Sequence, residues 1–204
     1  MTPKNMTIIC TDLEGVLVPE IWINVAEKTG IDELRLTTRD ISDYDELMQR
    51  RLGILKQNKL TLKDITAVIE TMHPLEGAIS FLDWLRSETQ VIIVSDTYQE
   101  FAKPLMAKLG WPTLFCNSLE IDASGAIADY HLRQADGKRH VVEALLSLNL
   151  KVAAMGDSYN DLSMLKTAHH GILFRPPDSI KTEYPQFPVT ETYEDLRNEL
   201  ENIL

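Results

Sequence analysis

Cysteine is scarce in this chain: Cys10 and Cys116 are the only two among 204 residues. Two cysteines build no disulfide framework, and both lie within or at the end of apolar segments, where buried thiols belong. No apolar stretch approaches the length of a membrane span, and the opening Met-Thr-Pro-Lys-Asn lacks the basic and apolar regions of a secretory signal. These absences point to a soluble protein of the reducing cytoplasm. Basic residues are outnumbered, 20 Lys and Arg against 31 Asp and Glu, for a net charge of −11. That balance argues against nucleic acid and against an anionic membrane as partners. The absence of a Gly-x-x-x-x-Gly-Lys-Ser/Thr loop excludes a Walker-type ATPase. Neither an internal repeat nor a low-complexity linker divides the chain.

What is present is ordinary globular material, 44% hydrophobic and 25% charged, enough for one core or a core plus a small module. Apolar, β-branched runs at 6–11, 91–94 and 151–155 read as buried strands, with shorter ones at 113–116 and 171–174. Helical periodicity covers 21–28, 44–56, 62–72, 78–88, 98–109, 139–148, 162–168 and 191–204. Thr61 caps the start of one helix, and Pro104 predicts a kink or early break in another. Segments 119–121 and 126–132 flank Gly125 as a small hairpin. Alternating strands and helices predict an α/β fold: a three-layer, Rossmann-like parallel sheet with right-handed crossovers. The helical stretch 18–74 reads as an inserted cap, leaving 1–17 and 75–204 as the core domain. The proline-rich 176–188 stretch reads as irregular. The amphipathic closing helix leaves room for a homodimer.

Three strands end in polar residues of a particular kind. The first ends in Asp12 and Glu14, the second in Ser95, the third in Asp157 and Asp161, and Lys138 precedes the helix before the third. Parallel strands share one carboxyl edge, so these groups converge there. Crowded carboxylates with oxygen-only donors suit a hard cation, Mg²⁺ above all, which also binds phosphate oxygens. A serine hydroxyl and a lysine charge suit a phosphoryl group, and a carboxylate can attack phosphorus to form an acyl phosphate. Asp40, Asp43 and Asp45 lack the spacing of a calcium loop and read as a solvated or cap-closing acidic loop. Adjacent His169 and His170 do not face one another as a metal pair would.

Asp12-Leu-Glu14-Gly-Val16, Ser95, Lys138 and Gly156-Asp157-Ser-Tyr-Asn160-Asp161 resemble, in order, the four motifs of the haloacid dehalogenase superfamily of phosphotransferases. Within it, Asp12 to Trp22, Asp43-Tyr-Asp45, Arg51-Leu52, Pro74 to Gly77 and Tyr184 to Pro188 resemble the bifunctional phosphoserine phosphatase/homoserine phosphotransferase branch. The resemblance implies Asp12 as nucleophile and Glu14 as general acid/base. It implies a Mg²⁺ group of Asp12, the Glu14 carbonyl and Asp157, with Asp161 supporting from beside. Ser95, Lys138, Asn160 and the Asp96 backbone N–H would hold phosphoryl oxygens. Glu20 would face the amine of phosphoserine or homoserine and Arg51 its carboxylate, with Arg50 a rival; Arg offers a planar fork for a carboxylate. Ser95 could equally serve as a helix N-cap. The chain departs from the superfamily pattern at Glu14, where Asp is usual, and from ordinary phosphoserine phosphatases at Asp96 and Ser158, where Gly is usual. A phosphatase for another small phosphomonoester and a silent binding module on the same scaffold stand as alternatives.

Overall fold

The computed structural model describes residues 6–37, 40–41 and 43–204. The first five residues, and Thr38, Arg39 and Ser42 of the broken stretch before the second helix, lie outside the described residues. Strand β1, Thr7–Thr11, is buried at every position. It lies between β2 (Gln90–Tyr98) and β5 (Lys151–Gly156), parallel to both, with Ile9 opposite Val91 and Ala153. Around them stand β3 (Thr113–Ile121), β4 (Ile127–His131), β6 (His170–Phe174) and β7 (Val189–Thr190), in the order β4-β3-β2-β1-β5-β6-β7. Among the described residues only the β3–β4 pairing is antiparallel, and it forms the expected hairpin.

Strands buried on both faces need apolar side chains at consecutive positions, which is why β1 reads as an unbroken run. Alternation sends Ile9, Ile93, Ala153 and Ile172 into one cluster and Cys10, Val94, Val152 and Ala154 into another. The first cluster is closed by α4 (Ala78–Glu88), α5 (Gln99–Lys108) and α9 (Tyr193–Glu201). The second is closed by α6 (Gly137–Ser147), α7 (Leu162–Thr167) and α8 (Asp178–Glu183). The result is the three-layer α/β architecture expected from the sequence. Cys10 is sealed in the second cluster, where burial pushes its thiol up to about 12.

Helices α1 (Ile21–Thr29), α2 (Tyr44–Gln57) and α3 (Leu62–Thr71) fall between β1 and β2. Their apolar faces (Ile21, Val25, Met48, Ile65 and Ile69 among them) join the first cluster. Helix α3 packs on α5, and α2 on β4. Asp64 accepts from both the Thr61 N–H and its hydroxyl, closing the expected cap. Asp43 caps α2 by accepting from Glu46 N–H, and the Tyr130 hydroxyl on β4 donates to Asp45. Two of the three acids of the 40–45 stretch therefore fasten α2 at its start and to the hairpin.

Four expectations are corrected. Pro104 sits inside α5 without ending it. Strand β2 runs on past Val94, with a shift of register before Tyr98 pairs with Asn117, so Ser95 lies within a strand and is no helix cap. Lys138 is not in a loop: α6 begins at Gly137 and buries it in the first turn. The 176–188 stretch contains α8 and leads into β7, because Ile180 and Phe187 still find apolar cover. Among the described residues no helix is long and apolar enough to cross a membrane.

Candidate active site

The chain leaves β1 toward β2 on one side and returns to β5 on the other, so the sheet has its switch of direction at the carboxyl ends of β1 and β5. Ligands of open α/β sheets bind in that crevice. Asp12 directly follows β1 and Asp157 directly follows β5. The Asp12 N–H donates to Met155 O at 3.0 Å, and the Leu13 N–H donates to Asp12 Oδ1 at 2.7 Å, so backbone fixes the carboxylate. Two glycines make room for its neighbours. A Cβ on Gly15, whose φ of 75° is itself left-handed, would fall 2.5 Å from Cγ of Asp157. One on Gly156 would fall 2.3 Å from Cγ of Asp161. Glycines at these two places let carboxylates occupy space that any side chain would take.

Lys138 comes from the far side, on the first turn of α6. Its Nζ lies 2.7 Å from Asp161 Oδ1, 3.0 Å from Asp12 Oδ1 and 3.8 Å from Asp96 Oδ2. Burial works against its charge, but these carboxylates outweigh that and hold the ammonium well above its ordinary pKa. Asp161 is fully buried. Its other oxygen accepts from the N–H groups of Asp157 and Ser158, both at 3.0 Å, so it ties Lys138 to the loop after β5. Burial, reinforced by Asp161, pushes the Asp12 carboxyl well above the usual carboxylate range, with Lys138 opposing.

Ser95 is buried, and its hydroxyl accepts from the Thr97 N–H at 3.2 Å. The Asp96 carbonyl accepts from Asn117 Nδ2 at 3.0 Å and from the Tyr44 hydroxyl at 3.4 Å. The Asp96 carboxylate turns into the site, where its Oδ2 accepts from Asn160 Nδ2 at 2.8 Å. Asp96 was expected to matter through its backbone alone; the side chain is an addition that the sequence did not reveal.

Two residues after Asp12, Glu14 is partly buried and accepts the Ile21 N–H at 2.8 Å, which ties it to the start of α1. Burial, with the charge of Glu20 next in weight, pushes its carboxyl up to about 8. Glu20 is exposed on the cleft wall. Arg51 is buried; its Nη2 donates to Leu36 O at 2.7 Å, and its guanidinium lies 4.5 Å from the centroid of the Trp22 ring. Among the described residues its Nε has no hydrogen-bond acceptor. Arg50 is exposed and away from this wall. Trp22 is braced edge-on by Phe101 at 5.6 Å and forms the platform under Arg51. Tyr44 shares a 2.8 Å hydrogen bond with Tyr98. Trp22 and Tyr44 both lie in stretches that carry the resemblance, but the resemblance gave neither a role. Asp12, Glu14, Glu20, Arg51, Ser95, Asp96, Lys138, Asp157 and Asn160 all line one cleft of about 420 Å³, with Asp161 behind its wall.

The donor set fits a hard cation. Asp12, Asp157 and Asp161 each offer a carboxylate oxygen, all within 4.8 Å of one another. One ammonium among the four carboxylates of Asp12, Asp96, Asp157 and Asp161 leaves negative charge uncompensated. Asp161 already spends its oxygens on Lys138 and two N–H groups.

A family model for haloacid dehalogenase-like hydrolases matches residues 6–169, which include β1 and all four motifs. The chain belongs to that family. It is accordingly an enzyme. It is 59% identical over 194 residues to Phosphoserine phosphatase ThrH of Pseudomonas aeruginosa, covering 95% of each chain. It is 56% identical over 192 residues to a Phosphoserine phosphatase of Pseudomonas syringae pv. tomato, covering 94% of this chain and 81% of that one. Among solved structures, a phospho-aspartyl intermediate analogue of phosphoserine phosphatase superposes with a TM-score of 0.79 at 23% identity, over 98% of this chain and 99% of the other. That likeness bears out the fold, and the two Pseudomonas relatives bear out the kinship drawn from the motifs.

Proposed function

We propose that the enzyme transfers the phosphoryl group of O-phospho-L-serine to Asp12, and from there to water or to L-homoserine, in a Mg²⁺-dependent reaction. The observation that carries this reading is the meeting of two unlike ends in one cleft: a carboxylate and lysine cluster at the strand ends, and a buried arginine with an exposed glutamate on the inserted helices. The first suits a phosphoryl group and the second an amino acid's carboxylate and amine. The relatives named above carry the same substrate in their names.

In this reading Asp12 attacks phosphorus, and its oxygen forms the new bond as the seryl oxygen leaves. Glu14, neutral up to about pH 8, donates the proton that the departing oxygen needs. The carboxylate so produced then takes a proton from the incoming water or alcohol. Ser95, Lys138, Asn160 and the Asp96 N–H hold phosphoryl oxygens. Asp12, Asp157 and the Glu14 carbonyl would hold Mg²⁺, which supplies charge neutralisation between the nucleophile and the phosphate. Asp161 keeps Lys138 and the 157–158 backbone in place. Arg51, on its Trp22 platform, meets the substrate carboxylate, and Glu20 the amine. Residues 18–74 act as a cap over a core of 1–17 and 75–204, and its closure excludes bulk water.

Glu14 is one methylene longer than aspartate, which moves the carboxyl by about 1.5 Å. That displacement leaves room for an alcohol acceptor to compete with water. The test is product analysis with phosphoserine and Mg²⁺, with and without homoserine, following inorganic phosphate and phosphohomoserine together. Both products are expected. Formation of inorganic phosphate alone would remove the transferase half, and turnover of neither would remove the substrate assignment.

A further inference from the structure

The carboxylate of Asp96 sits on donors that a phosphoryl group would use. Its Oδ2 accepts from Asn160 Nδ2 at 2.8 Å and lies 3.8 Å from Lys138 Nζ. The Asn160 amide is itself oriented, because the Ser158 hydroxyl donates to its Oδ1, which leaves the NH₂ facing Asp96. A carboxylate is an acceptor-only anion, as a phosphate oxygen face is, so the two compete for the same amide and ammonium.

The three carboxylates around Lys138 differ in how firmly they are held. Asp161 is fully enclosed and bonded to backbone N–H groups. Asp12 is buried and bonded to the Leu13 N–H. The Asp96 side chain is 41% exposed and is the farthest of the three from Nζ. Its main chain, by contrast, is pinned through the carbonyl by Asn117 and Tyr44. The side chain is therefore the one part of this charge cluster that can turn aside without disturbing the backbone beneath it.

We propose that Asp96 is an internal competitor for the phosphoryl seat, resting on Asn160 and Lys138 in the free enzyme and displaced when a phosphoryl group binds. The inference rests on the assignment of Lys138 and Asn160 as phosphoryl holders. Its consequence is weak retention of free inorganic phosphate: a departing dianion meets a carboxylate ready to take back its donors. Phosphate that is covalently held on Asp12 does not depend on those donors for its attachment and is affected less.

The test is calorimetric titration of inorganic phosphate into the Mg²⁺-loaded enzyme at fixed ionic strength, for wild type, Asp96→Asn and Asp96→Ala, with folding checked by thermal melting. Asp96→Asn keeps the shape and removes the charge, and Asp96→Ala removes the contact, so either folded variant decides the matter. The expected result is a dissociation constant for phosphate about tenfold lower in the variants, equivalent to about 1.4 kcal/mol. Phosphate affinity unchanged or weakened in the folded variants overturns the competitor role and leaves the phosphoryl site standing. Absence of phosphate binding in wild type and variants alike overturns the phosphoryl-site assignment itself.

Discussion

The two ends of the cleft are built differently. At the phosphoryl end, Asp12, Lys138 and Asp161 are almost entirely buried, and each carboxylate is fastened by backbone N–H groups at strand ends. At the proposed amino-acid end, Glu20 is exposed and Arg51 is held by the Leu36 carbonyl, the Met48 thioether and an aromatic face, all within the segment inserted between the first two strands. The first end inherits its geometry from the sheet. The second depends on side chains packing against one another. The contrast separates chemistry, which needs atoms held to a fraction of an ångström, from recognition, which tolerates adjustment.

Substitutions should divide along the same line. Asp12→Asn removes the proposed nucleophile, and turnover of phosphoserine is expected to fall by at least about 10⁴-fold in a steady-state assay. Lys138→Ala should cost about 10²–10³-fold in kcat through lost charge stabilisation. It should also destabilise the fold by roughly 3–5 kcal/mol, because it strands the buried Asp161 carboxylate; denaturant melts measure this. A Lys138 variant of unchanged stability would mean that the phosphoryl end is less tightly built than its distances imply.

Glu14 links the two ends, and its raised carboxyl sets a sign. The donor form persists below about pH 8 and is lost as pH rises through that value. Single-turnover loss of serine from phosphoserine should therefore decline on the alkaline side in wild type, and Glu14→Gln should be slow and lack that limb.

At the amino-acid end the effects are smaller and selective. Arg51→Ala should raise KM for phosphoserine by about 10–100-fold, the loss of a charged hydrogen-bonding pair, while phosphoethanolamine, which has no carboxylate, is nearly unaffected. Trp22→Leu should follow the same pattern more weakly, since it removes only the platform, worth about 0.5–2 kcal/mol. Arg50→Ala is the smallest case: within about 0.5 kcal/mol in stability, with no change in KM. A large effect there would place the carboxylate on the wrong arginine.

The convergence of Asp12, Ser95 and Asp157 on one cleft was legible before the fold was known, because sheet topology does the assembling. Three apolar runs that each stop at an acid or a serine converge once the strands are parallel. Which of Arg50 and Arg51 is turned inward was not legible from the residues, since neighbours on a helix differ only in how the packing orients them. The place of Lys138 was misread because nothing in Asp136-Gly137-Lys138 marks a helix start; Gly137 opens α6 with Asp136 in a left-handed conformation at φ 50°. Trp22 looked like any buried aromatic until Arg51 was found stacked on it. The Asp96 carboxylate could be placed only from Asn160, which is 64 residues away in sequence.

The most direct measurement is rapid quenching of the Mg²⁺-loaded enzyme with phosphoserine, followed by peptide mapping by mass spectrometry. The expected result is a single phosphoryl group on the peptide that carries Asp12, labile to hydroxylamine and absent from Asp12→Asn. Release of phosphate with no such adduct at any time, or an adduct on another residue, would contradict the assignment of Asp12 as the attacking group.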